Sequence, residues 1–205
     1  MPMADEITQQ HLQRARVRGA PSTIPGAAGL VGTYDYEEVQ RPTRRALSVD
    51  LGHDFTMSEL RAARDKLAQH AAKQKLEVLE QALIVLHADP MEDPPHEWTW
   101  TLVLPVSGRA RADEDAGISV TRIRGGAYIE TLTTKGFKDL YNLYTYVLGR
   151  LLPSHKQMLT RPEIYHRVVD GLENDNPGKC SVAVFVPFYL TLRAPTKLVT
   201  REEMG

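Results

Sequence analysis

The chain of 205 residues contains a single cysteine, Cys180, so no internal disulfide can form and a bridge-stapled mini-fold is excluded. Activating its thiol would need a nearby base or cation. Only Lys179 adjoins it, so Cys180 reads as structural. Charge of one sign is missing too: 25 Lys and Arg against 26 Asp and Glu leave a net charge of −1. That balance offers no electrostatic footprint for nucleic acid. The one dense basic group, Arg41, Arg44 and Arg45, sits beside Glu37 and Glu38 and reads as the solvated start of a strand. No apolar stretch reaches signal-peptide or membrane-span length, so a cytoplasmic location and no membrane partner are expected. Phosphate loops, G-x-S-x-G elbows and thiol pairs are absent from the sequence. What the chain does have is 42% apolar residues, enough for one compact domain or two small fused halves.

Residues 1–29 read as a tail and linker, with a thin apolar stripe over Glu6–Val17 and a loop through Gly19–Gly26. Strand patterns follow at Tyr34–Val39 and Arg45–Leu51, broken by Arg41-Pro42. Thr56 with Glu59 three residues later forms a capping-box signature, and Leu60, Ala63, Leu67 and Ala71 supply a helical stripe behind it. A short strand, Ala82–Leu86, a Pro-rich acidic loop and a strand, Trp98–Val106, complete this half. The second half reads as extended Ile118–Arg124, a Gly125-Gly126 turn and Tyr128–Thr134 as the other arm of a hairpin. A helix bearing Phe137, Leu140, Tyr141, Tyr144, Leu148 and Leu151 on one side then runs to Pro153. Strands at Glu163–Val168 and Ser181–Leu190 flank a turn, Asn174–Pro177.

Both halves therefore read hairpin, helix, strand, acidic loop, strand, with a period of roughly 80 residues. Their closing strands agree position by position: Thr101-Leu102-Val103-Leu104-Pro105-Val106 beside Ala183-Val184-Phe185-Val186-Pro187-Phe188. Val85-Leu86-His87 and Ile164-Tyr165-His166 also end alike. A duplicated α+β fold is expected, with one repeat at about residues 30–110, the second at about 116–193, and a tail over 194–205.

The ordered set Gly125-Gly126-Ala127-Tyr128, amphipathic helix, Pro162-Glu163-Ile164-Tyr165, the turn Asn174–Pro177 and Val184-Phe185-Val186-Pro187 resembles the GyrI-like small-molecule-binding domain. The resemblance covers about residues 30–192. It implies two strand–helix–strand–strand modules related by a pseudo-twofold, with a ligand held between their sheets. The family also supplies effector domains of bacterial AraC-type and MerR-type multidrug regulators. Many members carry a glutamate four residues before the proline of the closing strand, which can attract cations. Here those positions are Thr101 and Ala183, so a preference for cations does not carry over from them.

Strand alternation assigns candidate site residues. Val182, Val184 and Val186 form a row suited to packing under a helix, which turns Ala183, Phe185 and Pro187 to the pocket, with Thr101 and Val103 at the matching positions. Tyr165 and Glu163 share a face opposite Ile164, and Tyr128 and Glu130 share another. Trp100 and Trp98 fall on the helix side by the same register, although Trp98, near a strand end, is placed to stack on a planar ligand at the pocket mouth. Glu130 and Glu163 are the candidate polar anchors and, if chemistry occurs, the candidate bases. The cluster His87, Asp89, Glu92, Asp93, His96 and Glu97 lies on a Pro-rich loop with no second partner motif, so no metal and no cofactor are expected.

The function expected is a stand-alone protein, monomer or homodimer, that binds planar, largely apolar or cationic small molecules. No helix-turn-helix pattern is present, so direct nucleic-acid binding is not expected. The resemblance also implies three alternatives: a hydrolase of cyclopropane-type compounds using Glu163 or Glu130, a gyrase-inhibitor-like partner protein, and a haem binder.

Overall fold

The computed structural model describes residues 34–190. The expected N-terminal tail with its apolar stripe over Glu6–Val17, the linker after it and the C-terminal tail lie outside that range. Ten strands and two main helices make an α+β fold. In chain order these are β1 (Tyr36–Arg41), β2 (Arg44–Gly52), α1 (Met57–Lys73), β3 (Glu77–Val78), β4 (Leu83–His87) and β5 (Trp100–Ser107). Then come β6 (Ser119–Ile123), β7 (Gly126–Thr133), α2 (Leu140–Tyr146), β8 (Gln157–Leu159), β9 (Glu163–Asp170) and β10 (Ser181–Leu190).

The capping box forms as the sequence dictates. The Thr56 N–H donates to the Glu59 carboxylate at 2.7 Å, and the Glu59 N–H donates to Thr56 Oγ1 at 3.2 Å. Behind this start, α1 buries Met57, Leu60, Leu67 and Ala71. The second helix departs from its expected stripe. A 3₁₀ turn (Gly136–Asp139) leads into α2, and a π-turn (Val147–Leu151) carries it on to Leu152–Ser154. The buried face is Leu140, Leu143, Tyr144, Val147 and Leu151, and Tyr141 is exposed.

The strands form one antiparallel sheet ordered β1-β7-β10-β9-β4-β5-β2-β6, with β3 paired to β5 and β8 to β10. The expectation of two sheets with a hollow between them is corrected here. β4 and β9 pair directly, from Ile84 opposite His166 to His87 opposite Glu163, because each would otherwise leave an edge of unpaired backbone groups.

Neither expected hairpin forms. β1 pairs with β7 from Tyr36 opposite Thr131 to Arg41 opposite Gly126, and β2 continues the ladder on β6 from Arg44 opposite Ile123 to Ser48 opposite Ser119. β1 and β2 are thus one bent strand, paired along its length with a second bent strand, β6 and β7. The bends coincide at Pro42 and Gly125. Proline cannot donate to a ladder, which releases one strand. Glycine lets the other pass close: a Cβ on Gly125 would stand 2.6 Å from the Thr43 nitrogen and 2.7 Å from the Arg41 oxygen. A Gly-Gly pair signals a change of direction in either case, and only the partner strands decide between reversal and kink.

Both helices pack on one face of the sheet, over Leu47, Ile84, Leu86, Leu102, Ile129, Ile164 and the row Val182, Val184, Val186. The other face gathers Ala46, Leu83, Val85, Val103, Ile123, Tyr128, Tyr165, Ala183 and Phe185. Replacing Gly125 with alanine drives a methyl into backbone that has no room to yield. The expected loss is roughly 2–4 kcal/mol of unfolding free energy in urea titrations; a loss below about 0.5 kcal/mol would contradict the crossing as described.

Candidate ligand-binding site

The sheet divides the expected site residues between its two faces. Tyr128, Tyr165, Phe185, Val103 and Ala183 meet on the face away from the helices, all buried. Thr101 joins them, half-buried, and shares a hydrogen bond of 3.0 Å with His87. The rings of Tyr128 and Tyr165 lie 5.9 Å apart at a steep angle. Arginines cover the Tyr128 and Phe185 rings. The Arg41 guanidinium carbon stands 4.3 Å from the Phe185 ring centre and that of Arg167 5.2 Å, while Arg161 lies 5.5 Å from the Tyr128 ring and hydrogen-bonds its hydroxyl.

Carboxylates pair with the same arginines: Glu80 with Arg41 at 2.7 Å, Glu130 with Arg167 at 3.3 Å and Glu163 with Arg161 at 3.4 Å. Arg41, expected as a solvated strand start, is 12% exposed. Both candidate bases are therefore members of ion pairs. Burial, with Tyr128 and Glu163 nearby, pushes the Tyr165 hydroxyl up to about 12. Burial also lowers the Arg167 pKa, helped by Arg41 and opposed by Glu130 and Glu80.

Trp98 and Trp100 lie on the helix-covered face, in a different cluster from Phe185. There they floor a cavity of about 400 Å³ between the starts of the two helices. One wall is His53, Asp54 and Phe55, just ahead of the Thr56 cap; the other is Phe137, Lys138, Leu140 and Tyr141, with Pro95 and Pro177 at the margins. Local geometry sets each wall. Gly136 takes φ +64°, and a Cβ there would meet the Pro177 carbonyl oxygen at 1.9 Å. That close approach lets the Phe137 N–H donate to the Pro177 carbonyl at 2.9 Å, fixing where the second wall begins.

Phe55 and Phe137 meet edge to face at 5.6 Å, and Phe55 contacts Trp100 at 5.6 Å. Trp98 is held at both ends: its indole N–H donates to the Asp93 carbonyl at 2.9 Å, and its own carbonyl accepts from His53 Nδ1 at 2.9 Å. Sequence reasoning did not name Phe55, Phe137 or Tyr141 as candidate site residues, although all three line this cavity. The available signal was an aromatic ring at the start of each half's helix.

Comparison with known proteins matches this chain to the GyrI-like small molecule binding domain over residues 34–188. The chain belongs to that family. Among solved structures, the EcmrR C-terminal domain is similar with a TM-score of 0.61 at 16% identity, covering 77% of this chain and 98% of that one. EcmrR in its DNA complex gives 0.60 at 14% identity, over 92% of this chain and 66% of that one. A hydrolase from Listeria innocua gives 0.53 at 12% identity, over 75% and 91%. Identities this low carry the fold alone. No curated protein matches by sequence.

Beneath the cavity floor of this GyrI-like domain lies a buried polar pair. His166 is fully buried; its Nδ1–H donates to the Ile84 carbonyl at 3.0 Å, and its Nε2 accepts from the Tyr144 hydroxyl at 2.5 Å. Trp100 packs edge-on against His166 at 5.5 Å and Trp98 against Tyr144 at 5.8 Å. The pair joins β4, β9 and α2 directly under both indoles. The acidic loop, by contrast, spends its carboxylates on its own turn: Asp89 N–H donates to Asp93 at 2.7 Å and Met91 N–H to Asp89 at 3.0 Å. Among the described residues no group of three His, Cys, Asp or Glu side chains is placed to hold a metal. No described helix is long and apolar enough to cross a membrane.

Burial lowers the His166 pKa to about 4, against the partial opposing pull of the Ile84 carbonyl. The unfolded chain takes up this proton near pH 6.5, before the folded one does. Stability is therefore complete above about pH 6.5 and falls as pH drops towards 4, by up to about 1.4 kcal/mol per pH unit from this group. His166→Phe should make the stability–pH curve shallower by about one proton in that window. An unchanged slope would mean that His166 is not held neutral in the fold.

Proposed function

We propose that this GyrI-like domain binds a flat, largely apolar small molecule in the cavity between the starts of α1 and α2. The observation carrying this reading is that the cavity draws aromatic walls from both halves of the chain: Phe55, Trp98 and Trp100 from the first, Phe137 and Tyr141 from the second. Its volume of about 400 Å³ falls toward the small end of the roughly 300–1,000 Å³ typical of small-molecule sites. Aromatic walls of this kind favour planar guests through stacking and edge contacts. Polar groups are few and sit among the lining residues as His53, Asp54 and Lys138, a number suited to fixing orientation rather than to gripping a strongly charged ligand.

This reading keeps the expected ligand class and the two tryptophans, and moves the site to the helix-covered face. On the other face Tyr128 and Phe185 are packed under arginines and Tyr165 against Tyr128, an arrangement that supports a role in the fold. Glu130 and Glu163, the expected bases, lie with them and not in the cavity lining, which favours binding without hydrolysis.

A thermal-shift screen with flat aromatic cations, anions and neutral compounds tests the reading. A ligand at 100 times its Kd stabilises the fold by about 2.7 kcal/mol, which raises Tm by roughly 5–10 °C for a domain of this size. Trp98→Ala should abolish that shift, whereas Glu163→Gln should leave it within experimental error. The reverse pattern would move the site back to the face away from the helices.

A further inference from the structure

Tyr141 is the most exposed of the large apolar and aromatic side chains among the described residues, at 59%, and it lines the cavity. A ring so placed is not part of the core. It sits one helical turn beyond Phe137 and about 100° around α2 from Leu140, on the flank of the buried stripe and on the wall that also carries Lys138 and Leu140. The opposite wall is fixed: α1 begins at a complete capping box, and Trp98 is tied at both its indole and its carbonyl. The wall that carries Tyr141 is held at its base, by the Phe137 N–H on the Pro177 carbonyl and by Asp139, whose carboxylate accepts from Tyr34, Thr133 and Asn142, while the Tyr141 ring itself projects beyond those contacts. Its helix has no side-chain cap and changes from 3₁₀ to α to π geometry between Gly136 and Leu151.

From these features we infer that Tyr141 closes the cavity over its guest and selects for flatness. One face of a planar ligand lies against the pinned tryptophan floor, and the Tyr141 ring covers the other. Stacking on both faces gains most when the guest is flat, because only then do two ring faces come into contact at once. The proposal rests on the cavity being the binding site, and the variants below separate the two claims. Tyr141 is exposed, so its replacement leaves the core intact.

The test is a titration of the whole chain with proflavine (a flat cation), anthracene-9-carboxylate (a flat anion) and triphenylmethanol (not flat). Binding is followed by intrinsic fluorescence, to which the only two tryptophans, Trp98 and Trp100, both contribute from the cavity floor. Tyr141→Ala should weaken whichever flat probe binds by about tenfold and change triphenylmethanol by less than threefold, while Tyr141→Phe stays at the wild-type value. Equal loss for all three probes, or flat-probe binding at wild-type strength in Tyr141→Ala, overturns the role given to Tyr141. If Phe137→Ala and Trp98→Ala also leave the probes unaffected, the cavity itself is not the site. A change in sedimentation with unaltered probe affinity would make the ring a contact between copies of the chain and would equally overturn the proposal.

Discussion

Backbone hydrogen bonding at strand edges is the constraint from which the rest of this molecule follows. β4 and β9 end their respective halves with exposed edges, and each is satisfied by the other. The bent strand of β1 and β2 meets the bent strand of β6 and β7 in the same way, in one unbroken register past Pro42 and Gly125. Two small units that would each leave ladders open become one sheet. Both helices then lie on the same face, with their starts close enough for Phe55 to touch Phe137. A cavity between helix starts is a consequence of that pairing.

The two faces of the sheet solve different problems. Where the helices cover it, aliphatic side chains fill the space and leave an aromatic hollow at the helix starts. Where they do not, the rings of Tyr128 and Phe185 are capped by Arg41, Arg161 and Arg167, whose charges are balanced by Glu80, Glu130 and Glu163. Guanidinium planes suit this task because they lie flat on rings while their edges bind carboxylates. Polar groups buried behind the cavity are treated with equal economy. His166 and Tyr144 satisfy one another and the Ile84 carbonyl, which lets a hydrogen-bonded pair stand beneath two indoles without an unmet donor.

Local patterns were legible where a single element decides them. The capping box at Thr56, the closing strand from Ser181 to Leu190 and the alternation that sends Val184 one way and Phe185 the other are properties of short stretches, and each is found in the structure. The second helix was legible only in part: its buried stripe, Leu140, Leu143, Tyr144, Val147 and Leu151, keeps the helical period, and the expected Tyr141 and Leu148 fall on its flank. Arg41 looked solvated because a basic run beside glutamates normally is; the aromatic face that covers it comes from β10, more than 140 positions away in the chain.

By itself, then, the chain of residues determined its α+β class, its family resemblance and the face on which most strand side chains point, because those depend on periodicity and on motifs only a few residues long. Tertiary structure alone decided that Gly125 marks a crossing and not a hairpin, and that the aromatic hollow lies under the helices. Both outcomes depend on which strand edges find each other, and hydrogen bonds between distant segments leave no trace in local spacing.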